Sequence, residues 1–348
     1  MDLNQSQKII SFFLPKAKVK QIQIHNQGLI NQTFIVLIER NKILERYILQ
    51  SINKTIFNNH ELNLLNIIEV KKVISESSFP YELPTPVESK YLNIFNQTWR
   101  IIPFVEKSIC FENVTNIKLA FEAAVCLGSF YNVLHDFDLN KLHESIPGFH
   151  NGSKRLEEFE QSIYLSEKIR KNRCLTLIES IKKEKDVIKK FDNLNTILPK
   201  RVCHFDTKIS NFLFDINTNK AKAIIDLDTL MPGTVLSDIG DMIRNFSNLN
   251  GEESTDFENI RAEPKVIRLI ISGFLKHASK RLTKMEQDNL VFAGQAITLI
   301  QCIRFLTDFL NNDIYFKTFY ENHNMNRAEN QWRLYTSLKD STYENYSY

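Results

Sequence analysis

Between residues 21 and 52 apolar and polar positions alternate with period two. QIQIH, QTFIVLIE and ERYILQSI are separated by NQGLIN and by the polar triplet RNK. This alternation, rich in β-branched residues, predicts three half-buried antiparallel strands. Residues 57–76 change to helical spacing, with Leu62, Leu65, Ile68 and Ile74 roughly on one face. A proline-punctuated stretch, YELPTPVES, leads into strand-like YLNIF and TWRIIPFVE. Beyond about residue 106 the pattern turns to long helices. KLAFEAAVCLGSFYNVLHDF predicts a buried core helix, residues 154–191 set apolar positions against a Lys/Glu-rich face, and residues 265–312 predict two more long helices. The charge run KIRKNRCLTLIESIKKEKDVIKK is a solvated helix surface. The expected fold class is α+β: a small antiparallel sheet with one helix (residues 1–105), then a larger, mainly helical part (residues 106–348) containing a β-hairpin. That order of elements is that of a bilobal protein kinase-like fold.

Composition narrows the partners. The 348 residues are 43% hydrophobic and 24% charged, enough for two packed cores, and the net charge of +3 comes from interspersed basic and acidic residues. Neither a nucleic-acid nor a membrane-surface partner is expected. Five cysteines without a C-x-x-C pair argue against a zinc cluster and a disulfide framework, so a reducing cytoplasm is the expected location. The apolar run before Pro15 is too short for a signal segment or a membrane span, and no later stretch is expected to reach span length. The expected assembly state is a monomer or weak dimer.

The candidate chemistry lies in VCHFDTKISNFLFD (202–215) and KAIIDLDTLMPG (222–233). Phosphoryl transfer needs a carboxylate to orient and deprotonate a hydroxyl, and oxygen ligands for magnesium. His204, Asp206 and Asn211 keep the offsets of the kinase catalytic loop, and a hairpin then delivers Asp226. Such letters taken singly are ordinary loop and cap residues; the joint match points to a kinase.

HFDTKISNFLFD with IIDLDTLMPGTVLSDIGDMIR resembles the aminoglycoside phosphotransferase and choline kinase-like family, and most closely its N-acetylhexosamine 1-kinase branch. The likeness extends through NQGLINQTFIV, RYILQSINKTIF, WRIIPFVEKS, HESIPGFHNGSKRLEEFE and RFLTDFLNNDIYFKTFYENHNMNRAENQ. It implies ATP and Mg2+ as cofactors, and an amino-sugar acceptor phosphorylated at its anomeric hydroxyl. It also implies Asp206 as base and Asn211 and Asp226 as magnesium ligands. Asp228 is either a ligand of a sugar hydroxyl or metal-bound water, or a turn-forming aspartate. Gly28, Asn31 and Thr33 occupy the place of a phosphate-covering loop, although Gly28 is equally a hairpin residue. Pro103, Phe104 and Val105 form the lobe connection expected to face adenine, or else an ordinary buried strand.

One departure stands out in ERYILQSI: Gln50 occupies the place where many kinases carry a phosphate-binding lysine. Either Gln50 is the branch's residue, or Arg46 or Lys54 supplies the cation. If none does, the chain is a pseudokinase. The supporting helix carboxylate is Glu61 or Glu69. On the acceptor side Arg244 supports substrate or loop, and Asp238 is structural, with Ser237 or Asp238 capping the helix. Arg304 and Asp308, four apart, form either an intrahelical ion pair or a buried polar site beneath a sugar. His150 and His323 are expected to be satisfied structural histidines. The competing functions are a kinase of the same fold acting on an aminoglycoside, homoserine, choline or a methylthio-sugar, and a catalytically silent binding module. The second half is not notably acidic, which speaks against a polycation, and it shows no obvious aromatic cage for choline.

Overall fold

The computed structural model describes residues 1–25, 31–54, 57 and 59–340. The chain opens with a helix, α1 (Leu3–Phe13), started by a capping box between Asp2 and Gln5. Sequence reading gave this segment no element. Its buried face, Ile9, Ile10 and Phe13, lies against a five-stranded antiparallel sheet. The sheet comprises β1 (Lys18–His25), β2 (Gln32–Arg40), β3 (Ile43–Ser51), β4 (Leu92–Ile94) and β5 (Gln97–Pro103), in the order β1-β2-β3-β5-β4. Phe34, Val36, Leu49, Trp99 and Ile101 complete this first core. In the β3–β5 ladder Gln50 is paired with Arg100, which puts their side chains on the same face of the sheet.

The helix α2 (His60–Ser75) buries Ile67 and Val70 in the second, larger core. The expected face is displaced: Leu65 is exposed, while Asn63, Leu64, Asn66, Ile67 and Val70 are buried. HELNLLNIIEV is apolar nearly all round, so periodicity does not select a side. Asn66 does, donating to the carbonyls of His143 and Leu230 and accepting from the His143 amide, all at 2.8 Å.

After the short β6 (Ser108–Ile109) the second core is built on α3 (Ile117–Val133). The charged stretch divides into α4 (Gly152–Leu165), α5 (Lys168–Arg173), α6 (Leu175–Lys182) and α7 (Lys185–Ile197). Then come β7 (Arg201–Cys203), the hairpin β8 (Phe212–Asp215) and β9 (Ala221–Ile224), and β10 (Met231–Gly233). β10 pairs with β7, and β6 joins the edge of the hairpin. Helices α8 (Val235–Ser247), α9 (Pro264–Ala278), α10 (Lys284–Asp288), α11 (Leu290–Leu310) and α12 (His323–Asp340) complete the layer. Contrary to expectation, α11 is long and apolar enough to cross a membrane, with 21 residues and a mean hydropathy of 1.5, but 72% of that stretch is buried inside the protein. It is the central core helix, and the polar residues within it had masked its apolar character.

Candidate active site

His204, Phe205 and Asp206 leave β7 in a loop held from below by Asp238 in the first turn of α8. The Asp238 carboxylate accepts from the amides of His204 (2.9 Å) and Phe205 (2.7 Å) and from the Tyr131 hydroxyl (2.9 Å), and its carbonyl accepts from Thr207 Oγ1. The structural role expected for Asp238 therefore takes the form of a loop anchor. Thr234, not Ser237 or Asp238, is the helix cap residue. Phe205 has φ +67°, a conformation unusual for a bulky residue. It persists because the Asp238 bond and the ring's packing over-determine it. A Cβ at Gly233 of the MPG segment would lie 2.4 Å from the Phe205 ring, so only glycine lets β10 approach this closely.

The next links bring the metal-binding candidates together. His204 Nε2 donates to the Ile225 carbonyl at 2.9 Å, and the Ile225 amide donates to the Asn211 carbonyl at 2.9 Å. Asn211 Nδ2 donates to the Asp206 carbonyl (2.7 Å) and carboxylate (3.0 Å), leaving its Oδ1 as an available acceptor. Asp226 follows in the left-handed region at φ 59°, which aspartate tolerates. Burial, and then the neighbouring carboxylate of Asp228, push the Asp226 carboxyl up to about 6. Burial also raises Asp206, but the Lys208 ammonium 3.0 Å away and the Asn211 amide outweigh it and hold Asp206 below its ordinary value. Lys208, a polar break in the strand pattern to which the sequence assigns no role, is raised in turn by Asp206 and Asp226 against the effect of burial. Its position two residues after the loop aspartate was the available signal. Asn211 Oδ1 and the Asp226 carboxylate suit a magnesium ion, which takes one or two protein oxygens and fills its remaining positions with water and phosphate oxygens.

The expected nucleotide side is altered in several places. Gly28 lies outside the described residues. Asn31 and Thr33 are not free donors: Asn31 Nδ2 donates to Asp228 at 2.9 Å, and Thr33 Oγ1 donates to the Asn31 carbonyl at 3.4 Å while accepting from Gln50 at 3.1 Å. Gln50 Oε1 in turn accepts from Arg100 at 3.0 and 2.8 Å. Neither substitute cation reaches this point. Arg46 pairs with Glu106 and lies over the Phe104 ring, and Lys54 reaches Asn93. Glu69 pairs with Lys72. At the lobe connection Pro103 ends β5, and the Phe104 amide donates to the Arg46 carbonyl at 3.2 Å. Val105 is buried, with its carbonyl accepting from Ser108. The Phe104 amide is thus committed within the protein.

On the acceptor side the structure narrows the alternatives. Asp228 forms a two-pronged ion pair with Arg100. Arg244 is held by Asp241 and Glu252, so it ties α8 to the following loop. Arg304 and Asp308 do not pair. Asp308 accepts from the amides of Ile314, Tyr315 and Phe316 and so fixes the aromatic segment after α11. Arg304 donates to Gln301 and lies 5.0, 5.8 and 5.4 Å from the rings of Phe149, Tyr315 and Phe316, with no carboxylate partner among the described residues. Phe149 also stacks on His150, which rests against Phe205. His323 is a satisfied histidine, bonded to Glu253 and to the Phe319 amide. His150 is not: it is buried and its Nδ1 has no partner.

A small antiparallel sheet over a helical body, with a loop aspartate, an asparagine and a hairpin aspartate converging below it, defines a kinase-like protein. The sequence model of the Phosphotransferase enzyme family matches residues 21–260, about two thirds of the chain, and the protein belongs to that family. Solved structures share the fold. An aminoglycoside phosphotransferase from Alicyclobacillus acidocaldarius is 14% identical with TM-score 0.63, the match covering 96% of this chain and 95% of that one. A choline kinase from Cryptosporidium parvum is 15% identical with TM-score 0.56, covering 95% of each chain. An aminoglycoside phosphotransferase in complex with streptomycin and ATP is 12% identical with TM-score 0.54, covering 100% of this chain and 99% of that one.

Proposed function

We propose that this protein is an ATP-dependent kinase that phosphorylates the anomeric hydroxyl of an N-acetylhexosamine. Asp206, kept ionised by Lys208, accepts a hydrogen bond from the acceptor hydroxyl, orients it and takes its proton as the new P–O bond forms. Asn211 and Asp226 would hold magnesium, which neutralises charge on the β and γ phosphates when bound. Lys208 offsets the negative charge between the two aspartates.

The observation that favours a neutral sugar over the cationic acceptors of the fold neighbours is Arg304. A half-buried guanidinium without a carboxylate repels an ammonium group and offers hydrogen bonds to an amide carbonyl or hydroxyls. Burial lowers its pKa, and nearby Arg155 and Arg244 act in the same direction. A polycation or a choline headgroup would enter this positive field unfavourably. The rings of Phe149, Tyr315 and Phe316 provide the apolar surface on which a sugar ring packs.

Incubating the protein with ATP, magnesium and each of N-acetylglucosamine, N-acetylgalactosamine, choline, ethanolamine and streptomycin tests this reading. ADP release is expected with an N-acetylhexosamine, with a product whose phosphorus couples to the anomeric proton by NMR. Coupling to another position, or turnover confined to a cationic acceptor, would overturn it.

A further inference from the structure

The place of the missing strand lysine raises a physical question. Asp206, Asp226 and Asp228 already crowd the cleft with negative charge, and a triphosphate adds more, yet β3 brings only Gln50. Lys208 belongs to the helical lobe. Within the sheet lobe the described residues bury a single lysine or arginine side chain, Arg100, which is 2% exposed.

Arg100 comes from β5, one strand across from Gln50 and directly opposite it in the ladder. Its Nε and one terminal nitrogen donate to Gln50 Oε1, which turns the guanidinium toward the helical lobe. Its two terminal nitrogens donate to Asp228 Oδ1 and Oδ2 at 2.5 and 2.7 Å, and Asn31 Nδ2 adds a third donor to that carboxylate. Asp228 is two residues beyond Asp226. The guanidinium is therefore held close to Asp226 by Gln50 of β3 and by Asp228, whose carboxylate Asn31 of the segment preceding β2 also grips. A buried ion pair of this kind contributes little net stability against an apolar pair, so stability alone gives no reason for it.

We propose that Arg100 is the phosphate-binding cation of this protein, taking over from the neighbouring strand the charge that a β3 lysine supplies elsewhere, with Gln50 as its positioning residue. Before nucleotide binds, Asp228 and Gln50 keep the fork in place; with nucleotide bound, polyphosphate oxygens share it. The proposal rests on nucleotide binding in the cleft between the lobes.

Calorimetric titration with ATP, ADP and adenosine, without divalent metal, tests it on the wild type, on Arg100→Lys and on the charge-neutral pair Arg100→Gln with Asp228→Asn. The pair removes both ions, so no buried charge is left alone. ATP affinity of the pair is expected to fall roughly ten- to a hundredfold, the size of one charge-assisted hydrogen-bonding group, with adenosine affinity within about twofold of wild type. Arg100→Lys should retain most of the preference for ATP over adenosine. In the wild type the Nε–Hε NMR resonance of Arg100, assigned by its loss in Arg100→Lys, should move with ATP and ADP but not with adenosine. This readout does not depend on the folding of the double variant. Parallel loss of ATP and adenosine affinity, no loss of either, or a resonance moved equally by all three ligands would overturn the assignment. A wild type that binds neither ATP nor adenosine would instead remove the kinase reading beneath it.

Discussion

His150 shows how one side chain ties acceptor site to stability. It is buried between Phe149 and Phe205, and burial, then the positive field of Arg304, Arg244 and Arg155, hold its pKa well below the ordinary value, while Asp206 pulls weakly the other way. The unfolded chain takes up this proton near pH ~6.5, whereas the folded one resists it. Stability is therefore full above that pH and is lost as the pH falls toward the lower folded value, by up to about 1.4 kcal/mol per pH unit. Urea titrations between pH 7 and 5 should show a shallower loss for His150→Gln than for the wild type; equal slopes would assign the effect to other groups. Sequence gave no hint of this state, because a histidine in IPGFHNG carries no sign of which rings and arginines surround it.

At the scale of elements, the close contact of α3 with α9 decides how tightly the second core packs. A Cβ at Gly128 would lie 2.3 Å from the Phe274 carbonyl oxygen, a backbone atom that no rotamer change can move. Gly128→Ala must therefore push the helices apart and is expected to cost about 1–3 kcal/mol, although alanine is the better helix former. Denaturant titration measures it, and a gain in stability would show that the helices separate freely. The elements themselves were largely legible. β1 to β3, α3, α9 and α11 follow from period and length, whereas the buried face of α2 and the helix α1 did not. The former is apolar on nearly every side, and the latter needs the sheet to give its short apolar stripe a partner.

Across the whole molecule, the Arg100–Asp228 pair joins the sheet of the first core to the segment that follows the hairpin of the second. A nucleotide bound beside that pair, as proposed, would touch both lobes at once. Hydrogen exchange with ATP and magnesium should slow in β3, β5 and residues 204–211 and 224–228, and stay unchanged in α6 and α7. Protection confined to one lobe would place the nucleotide elsewhere.

The sequence by itself determined the alternation that makes the sheet, the long apolar helices, and the offsets that bring Asp206, Asn211 and Asp226 into one loop and hairpin, because these are local properties of spacing. Only the tertiary structure decided which charges face one another. Arg100 stands 50 residues from Gln50 and 128 from Asp228, and Arg304 lacks the partner four residues along its own helix because Asp308 turns to the amides of the aromatic segment. Burial sets what an ion pair or an unpaired guanidinium is worth, and burial is a property of the packed chain, not of any stretch within it.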